Sequence, residues 1–183
     1  MKSAWKSFRE LLPILSNRAI SFRNRGHIFN SCVRSVLLYA CETWPVTVAD
    51  LNRLLRNDNL MVRWICGQKL SDRVPTAQLQ AKLGISSIDA AIRKARLRWF
   101  GHTVRMEMDA WPKSIQALNI PGSAPRGRPQ KRWIDCVNSD LQSLNLRKED
   151  ALDRLSWRST IKSGHARVVQ PSQMRKTRRK TEE

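Results

Sequence analysis

One stretch, Ser86 to Met106, constrains the fold more than any other part of the chain. At about 100° per residue, its apolar side chains divide between two opposite faces of a helix. The first face comprises Ile88, Ala91, Ile92, Ala95, Trp99, His102 and Met106, and the second comprises Leu97, Phe100 and Val104. Because both faces need apolar neighbours, we expect a central helix buried between other elements. Ser86 and Asp89 are typical of a capping box at its start.

One flank of this predicted helix is cationic, because Lys94, Arg98 and Arg105 form a row between the apolar faces. The chain carries 34 basic and 15 acidic residues, a net charge of +19. Residues 163–183 hold six bases and two acids, so +15 belongs to the part with helical periodicity. Such an excess indicates a polyanionic partner, nucleic acid before a membrane surface. The alternative for the row is an ordinary solvated helix face.

Most other segments before residue 163 also show the helical period, and no segment of the chain shows the alternation typical of strands. We therefore predict an all-α fold, a small irregular helical array with a disordered basic C-terminal tail. The expected organisation is a helical region at 1–106, a linker rich in proline and glycine at 107–127, a second helical region at 128–162, and the tail at 163–183.

Several local signals refine this organisation. Pro13 should keep the first helix short, and Thr47 with Asp50 should cap a long helix that ends at Gly67. Asp58 lies within the apolar stripe of that long helix, so we expect an ion pair with an interior arginine. Further predicted boundaries are a helix over 25–41 with His27, Asn30 and Arg34 outside, a helix opened by Pro75 and closed by Gly84, a helix opened by Pro129, and a last helix with Glu149 and Asp150 in its first turn.

Catalytic chemistry is not indicated. The acidic residues read as caps and helix-face residues rather than catalytic pairs, and there is no Gly-rich phosphate loop, HExxH or GxSxG motif. Four widely spaced cysteines, Cys32, Cys41, Cys66 and Cys136, match no metal-binding pattern and are expected to be reduced, buried thiols. We therefore expect no catalytic residue, metal, cofactor or small-molecule substrate, and an intracellular protein that is neither secreted nor membrane-bound.

A second candidate binding segment is PRGRP at Pro125–Pro129, followed by QKRW. Glycine allows close backbone approach, and the flanking arginines suit a narrow A·T-rich minor groove or a phosphate pair. This pentapeptide matches the core of the AT-hook. The alternative is a basic turn leading into a helix. Either interpretation makes phosphate contacts of Arg126, Arg128, Lys131 and Arg132.

Five segments in this order resemble one family: SVLLYACETW (Ser35–Trp44), NDNLMVRWICGQK (Asn57–Lys69), DRVP (Asp72–Pro75), RLRWFGH (Arg96–His102) and GRPQKRW (Gly127–Trp133). They are similar to the region that follows the polymerase core in reverse transcriptases of non-LTR (LINE-type) retrotransposons. The likeness covers about residues 5–160. It implies thumb-like helices in the first region, post-thumb helices in the second, and contacts with RNA template, primer or target DNA.

The chain also departs from that family. The paired metal-binding aspartates of the polymerase box are absent, as are an endonuclease and a C-terminal zinc knuckle. We therefore expect a non-catalytic nucleic-acid-binding fragment that contacts RNA or DNA backbones, with a full-length reverse transcriptase as a further partner in trans. The alternatives are an AT-hook-like minor-groove DNA-binding module and an inert retrotransposon-derived fragment. The basic cluster RKTRRK (Arg175–Lys180) is compatible with nuclear import and equally with a solvated tail, so the expected compartment is nuclear or cytoplasmic.

Overall fold

The computed structural model describes residues 1–117, 127 and 131–163. Within those residues the chain is helical and contains no strand, so the predicted all-α fold is confirmed. The α-helices are α1 (Lys2–Leu15), α2 (Phe22–Ile28), α3 (Ser35–Leu37), α4 (Val48–Cys66), α5 (Thr76–Leu83), α6 (Ile88–Val104), α7 (Trp111–Ala117), α8 (Trp133–Ser143) and α9 (Arg154–Ser163). A π-helical segment, Phe29–Arg34, joins α2 to α3, and 3-10 turns occur at Cys41–Thr43, Leu70–Asp72 and Glu149–Leu152.

Helix α6 lies at the centre of the packing, as its two apolar faces predict. Its first half places Ile88 and Ile92 in a core cluster with side chains from α1, α3 and α4. Its second half places Leu97 and Phe100 in another cluster, with side chains from α8 and α9. A third cluster, formed by α1, the π-helical segment, α4 and α5, includes Phe8. One helix therefore belongs to the cores on both of its sides.

The first apolar face of α6 opens towards its carboxyl end, which corrects the sequence prediction. Trp99 and Met106 are half-buried and His102 is exposed, whereas Arg96 is buried at 7 % exposure. The α8 residue Asp140 lies 3.1 Å from the Arg96 guanidinium, so an ion pair takes the place of an apolar contact there. The pattern of apolar residues in one helix does not show which residue of another helix lies opposite each of its turns.

The start of α6 also differs from its prediction. The helix begins at Ile88, Ser87 precedes it, and no capping box links Ser86 to Asp89. The Ser86 carbonyl instead accepts a hydrogen bond from Arg34 Nη1 at 2.6 Å. A tertiary contact thus fixes the entry to α6 in place of a local cap.

The same arginine forms the buried ion pair expected for Asp58. Arg34 Nε and Nη2 donate to the two carboxylate oxygens at 2.8 and 2.7 Å, with the two side chains 2 % and 0 % exposed. The prediction that Asp58 pairs with an interior arginine is confirmed. The prediction that Arg34 lies outside is wrong, because Arg34 ends the π-helical segment. Its i→i+5 hydrogen bonding turns successive side chains by less than the angle of an α-helix.

Other boundaries show how far local signals reach. Thr47 Oγ1 accepts from the Asp50 amide at 3.2 Å, and Gly67 ends α4 with a φ of +64°, both as predicted. Helix α5 ends at Gly84 as predicted and begins directly after Pro75. Helix α1 continues through Pro13 to Leu15, contrary to prediction. Burial of Leu15 in the core offsets the hydrogen bond that the proline removes.

In the carboxyl-terminal part of the described chain, several helices start or end away from their predicted positions. The predicted linker at 107–127 contains α7. Helix α8 begins at Trp133, later than the expected opening at Pro129, because Asp135 accepts the Arg132 amide at 2.9 Å and caps the helix there. Glu149 begins a 3-10 turn, and the last α-helix starts at Arg154. The predicted tail at 163–183 falls outside the described residues beyond Ser163.

Candidate nucleic-acid interface

Helix α9 is seated on α6 by a tryptophan against a glycine. The Trp157 side chain is 3 % exposed, and its Nε1 donates to the Leu97 carbonyl at 3.1 Å. A Cβ built on Gly101 would lie 2.2 Å from that same nitrogen. No residue larger than glycine permits this approach without movement of the indole. The glycine of the RLRWFGH segment therefore sets the distance between the two helices.

A second contact fixes the start of α9. The Arg105 guanidinium, at the end of α6, donates to the Ala151 carbonyl in the preceding 3-10 turn. The Asp153 carboxylate then accepts the Leu155 and Ser156 amides at 3.0 and 3.3 Å, which satisfies donors at the helix start. The turn before α9 is thus attached to the end of α6 and the first turn of α9 is capped, so the direction of α9 along α6 is defined.

The two helices enclose a groove of about 930 Å³, which we call the basic groove. Its lining residues are Lys94, Arg98, His102, Arg105, Met106, Arg154, Trp157, Arg158, Ile161 and Lys162. Six of these carry a positive charge, and none of the lining residues is acidic. The apolar members come from the packed side of each helix. A concave surface with charge of one sign concentrates field and attracts ligands of the opposite charge.

The cations follow the helical repeat on both walls of the basic groove. Arg154, Arg158 and Lys162 occur at every fourth residue of α9, and Lys94 and Arg98 have the same spacing on α6. Residues four apart share a helix face, so each wall presents a row of charge. In the part of the chain that the structure describes, none of these five side chains forms an ion pair. Their donors are available to a ligand.

The structure thus places the predicted residues in two groups. Lys94, Arg98 and Arg105 come together in the basic groove, although the Ala151 carbonyl occupies one donor of Arg105. Lys131 and Arg132 are exposed immediately before α8 and are not among the groove residues. Arg126 and Arg128, with the rest of PRGRP except Gly127, lie outside the described residues.

Sequence reasoning missed Arg154, Arg158 and Lys162. The signal was their spacing of four residues, which predicts one basic helix face in the same way as Lys94 and Arg98. The sequence prediction instead started the last helix with the acidic residues Glu149 and Asp150 in its first turn. Nothing in the sequence states that this face lies opposite α6, because Trp157 and Gly101 determine that contact only in three dimensions.

A smaller pocket of about 210 Å³ adjoins the basic groove. It is lined by Glu42, Ala95, Arg98, Trp99 and His102, so the two cavities share Arg98 and His102. The Trp99 and His102 rings are in contact, with centroids 5.5 Å apart and planes tilted by 55°. Glu42 is held in place through its backbone, because its carbonyl accepts from Trp133 Nε1 at 2.7 Å. We call this cavity the ring pocket.

The perturbed titratable groups lie outside the basic groove. Burial raises the pKa of the Asp140 carboxyl, although Arg96, Arg93 and Lys131 oppose that shift. Burial likewise raises the pKa of the Cys41 and Cys66 thiols. The four cysteines are free, but Cys32 is exposed and Cys66 half-buried, contrary to the expectation of buried thiols. The described residues contain no group of three or more histidine, cysteine or acidic side chains suited to a metal ion.

The comparisons with known proteins leave the family open. No family model, curated protein or solved structure matches this chain. Among the described helices, none is both long and apolar enough to cross a membrane. The resemblance to LINE-type reverse transcriptases therefore remains an expectation from five sequence segments, and the basic groove is a separate observation about the structure.

Proposed function

We propose that this chain is a non-catalytic nucleic-acid-binding segment of a LINE-type reverse transcriptase, which contacts RNA or DNA phosphate backbones in the basic groove. One observation carries the proposal: α6 and α9 bring six cations into one groove whose lining contains no acidic residue. Phosphate contacts of this kind supply sequence-independent affinity, because each neutralised phosphate releases condensed counterions.

The composition of the groove favours phosphate over other anions. Four of its six cations are arginines, whose planar guanidinium matches phosphate oxygens in a bidentate geometry. The charges repeat along two helices, which suits a polymer with regularly spaced phosphates better than a single small anion. In this proposal Lys131 and Arg132, with Arg126 and Arg128, extend the contact surface before α8. The protein then acts in the nucleus or cytoplasm. It binds nucleic acid there either alone or beside a full-length reverse transcriptase.

The salt dependence of binding tests this proposal. If all six groove cations contact phosphate, the logarithm of affinity for a single strand should fall with the logarithm of salt concentration with a slope of about −4. Fluorescence anisotropy with a labelled mixed-sequence oligonucleotide, titrated from low to physiological salt, measures that slope. An affinity that barely changes with salt would contradict the proposal.

A matched pair of variants locates the binding surface. Arg154→Glu with Arg158→Glu reverses two groove charges on α9, whereas Lys2→Glu with Lys6→Glu reverses two exposed charges, also four residues apart, on α1. Both variants change the net charge by the same amount. The α9 variant should lower the salt slope by about 1.4 units and weaken binding far more than the α1 variant. Equal losses would mean that only the net charge matters.

The PRGRP segment supports a second candidate function, an AT-hook-like module that binds the minor groove of DNA. This alternative places affinity in Arg126 and Arg128 and requires a preference for A·T-rich over G·C-rich duplexes. A competition experiment between the two duplexes, with and without a minor-groove ligand, separates it from the first proposal. Equal binding to both duplexes would dismiss it.

A further inference from the structure

The ring pocket differs in chemistry from the basic groove that it adjoins. Arg98 and His102 line both cavities, so a strand held in the groove passes the mouth of the pocket. The other lining residues of the pocket are Glu42, Ala95 and Trp99. A phosphate is suited to the groove, whereas the pocket offers two rings and one residue of each charge, Glu42 and Arg98. The two cavities therefore suit different parts of one nucleotide.

The rings of the pocket are not packed in the core in the way that the Trp157 and Phe100 rings are. Trp157 and Phe100 belong to a core cluster, and the Trp157 indole nitrogen donates to a backbone carbonyl. Trp99 is half-buried and belongs to none of the described clusters of buried apolar residues. Its indole nitrogen has no hydrogen-bond partner in the described part of the chain. His102, in contact with it, is exposed.

The ring pocket differs from the basic groove in charge. Its lining holds one acidic and one basic residue, Glu42 and Arg98, whereas the groove lining holds six cations and no acidic residue, so a phosphate is favoured in the groove. A base carries no net charge and stacks on aromatic rings. Charge thus directs the phosphate towards the groove cations, and the Trp99 and His102 rings are left for the base.

We propose that Trp99 and His102 bind an unpaired base, so that the preferred ligand is single-stranded nucleic acid. This inference rests on the proposed function, because it assumes that phosphates occupy the basic groove. In a duplex the bases are stacked within the helix, and extruding one costs pairing and stacking energy. A single strand presents its bases without that cost, and aromatic stacking accepts all four bases.

The first test leaves the protein unchanged and alters the ligand. Two fluorescently labelled strands of equal length and charge are compared at low salt, one carrying bases and the other abasic at every position. The strand with bases should bind at least about fivefold more tightly, the effect of one stacked base. Equal salt-dependent binding of the two strands overturns this inference and leaves the proposed function standing. Failure of both strands to bind contradicts both.

The second test changes the ring. Trp99→Ala should lower the ratio of single-strand to duplex affinity by at least about fivefold, and Trp99→Phe, which keeps a ring, should retain much of that ratio. Trp64→Ala is the matched control, because Trp64 is an exposed tryptophan on α4 that lines a different cavity. Circular dichroism melts verify that each variant folds. If Trp99→Ala weakens single-strand, duplex and abasic-strand binding equally, Trp99 has a structural role only and the proposal is overturned.

Discussion

On the amino-terminal side of α6, Arg34 lies fully buried against Asp58 and also donates a hydrogen bond to the Ser86 carbonyl. On the carboxyl-terminal side, Arg154 and Arg158 line an open groove and have no partner in the described part of the chain. The same side chain therefore has a structural use in one region and remains available in the other. Net charge alone does not measure binding capacity, because buried, paired arginines do not reach a ligand.

The ion pairs on the two sides of α6 also differ in geometry. Arg34 and Asp58 form two parallel hydrogen bonds. Arg96 and Asp140 join α6 to α8 through one close contact, of 3.1 Å between Arg96 Nη1 and Asp140 Oδ2. Arg93 Nε lies 3.8 Å from the other oxygen of the same carboxylate. Burial raises the pKa of the Asp140 carboxyl, although Arg96 and Arg93 oppose that shift. Three variants test this contrast, from the largest expected effect to the smallest.

Asp58→Ala should cause the largest loss of stability. It leaves Arg34 buried with only the Ser86 carbonyl as a partner, and breaking a buried pair in this way typically costs roughly 3–5 kcal/mol. Urea denaturation followed by circular dichroism measures the unfolding free energy. The control is Asp50→Ala, an exposed carboxylate in the first turn of the same helix, which should cost far less.

Replacing both partners sharpens the result. Arg34→Met with Asp58→Leu removes the two charges together, and such apolar replacements are often neutral. Its unfolding free energy should be closer to the wild-type value than that of Asp58→Ala. If Asp58→Ala is harmless, the pair does not hold the amino-terminal helices together.

Gly101→Ala should have an intermediate effect on the other side of α6. The added Cβ would lie 2.2 Å from Trp157 Nε1, and overpacking of a core contact costs roughly 1–3 kcal/mol. That loss opposes the gain in helix propensity of about 1 kcal/mol for alanine over glycine. Nucleic-acid affinity should fall as well, because α9 carries three groove cations. Urea denaturation and fluorescence anisotropy measure the two effects.

A double-mutant cycle provides the control. Trp157→Phe removes the atom nearest to the added methyl group, so it should cost less in the Gly101→Ala background than in the wild type. Additive losses would show that residues 101 and 157 do not determine the spacing between α6 and α9.

Asp140→Asn should change the unfolding free energy least, and its main effect should be on how that free energy depends on pH. Because burial raises the pKa of Asp140, the folded protein holds the carboxyl proton more tightly than the unfolded chain does. This group therefore favours the folded state most at low pH, and its contribution is lost as pH rises above 3.8 through the raised pKa. The unfolding free energy of Asp140→Asn should decline less over that range. Identical pH profiles for the two proteins would contradict this sign.

The sequence predicted the features that depend on neighbouring residues. The all-α fold, the central position of the 86–106 helix, the Thr47 cap and the termination of α4 at Gly67 follow from spacing and local geometry. The need of Asp58 for an arginine follows from the high free energy of an unpaired buried charge. The proximity of Lys94, Arg98 and Arg105 was also predictable, because the first two lie on α6 and Arg105 follows its last residue.

The remainder depends on contacts between distant segments. Arg34 was misplaced because the π-helical segment departs from the angle assumed for an α-helix. The α9 half of the basic groove was missed because only the fit of Trp157 against Gly101 shows which neighbour α9 faces. The ring pocket likewise requires Glu42 to approach α6. The Glu42 carbonyl also accepts a hydrogen bond from Trp133 on α8, which is 91 residues away along the chain.

The position of Arg34 also has a consequence for the order of folding. Its partners Asp58 and Ser86 lie 24 and 52 residues away along the chain, so the guanidinium gains them only after two long loops have closed. Non-local contacts of this kind slow folding, because loop-closure entropy is lost before the contacts form. We expect α2, the π-helical segment and α4 to associate first and to fix the entry of α6 afterwards.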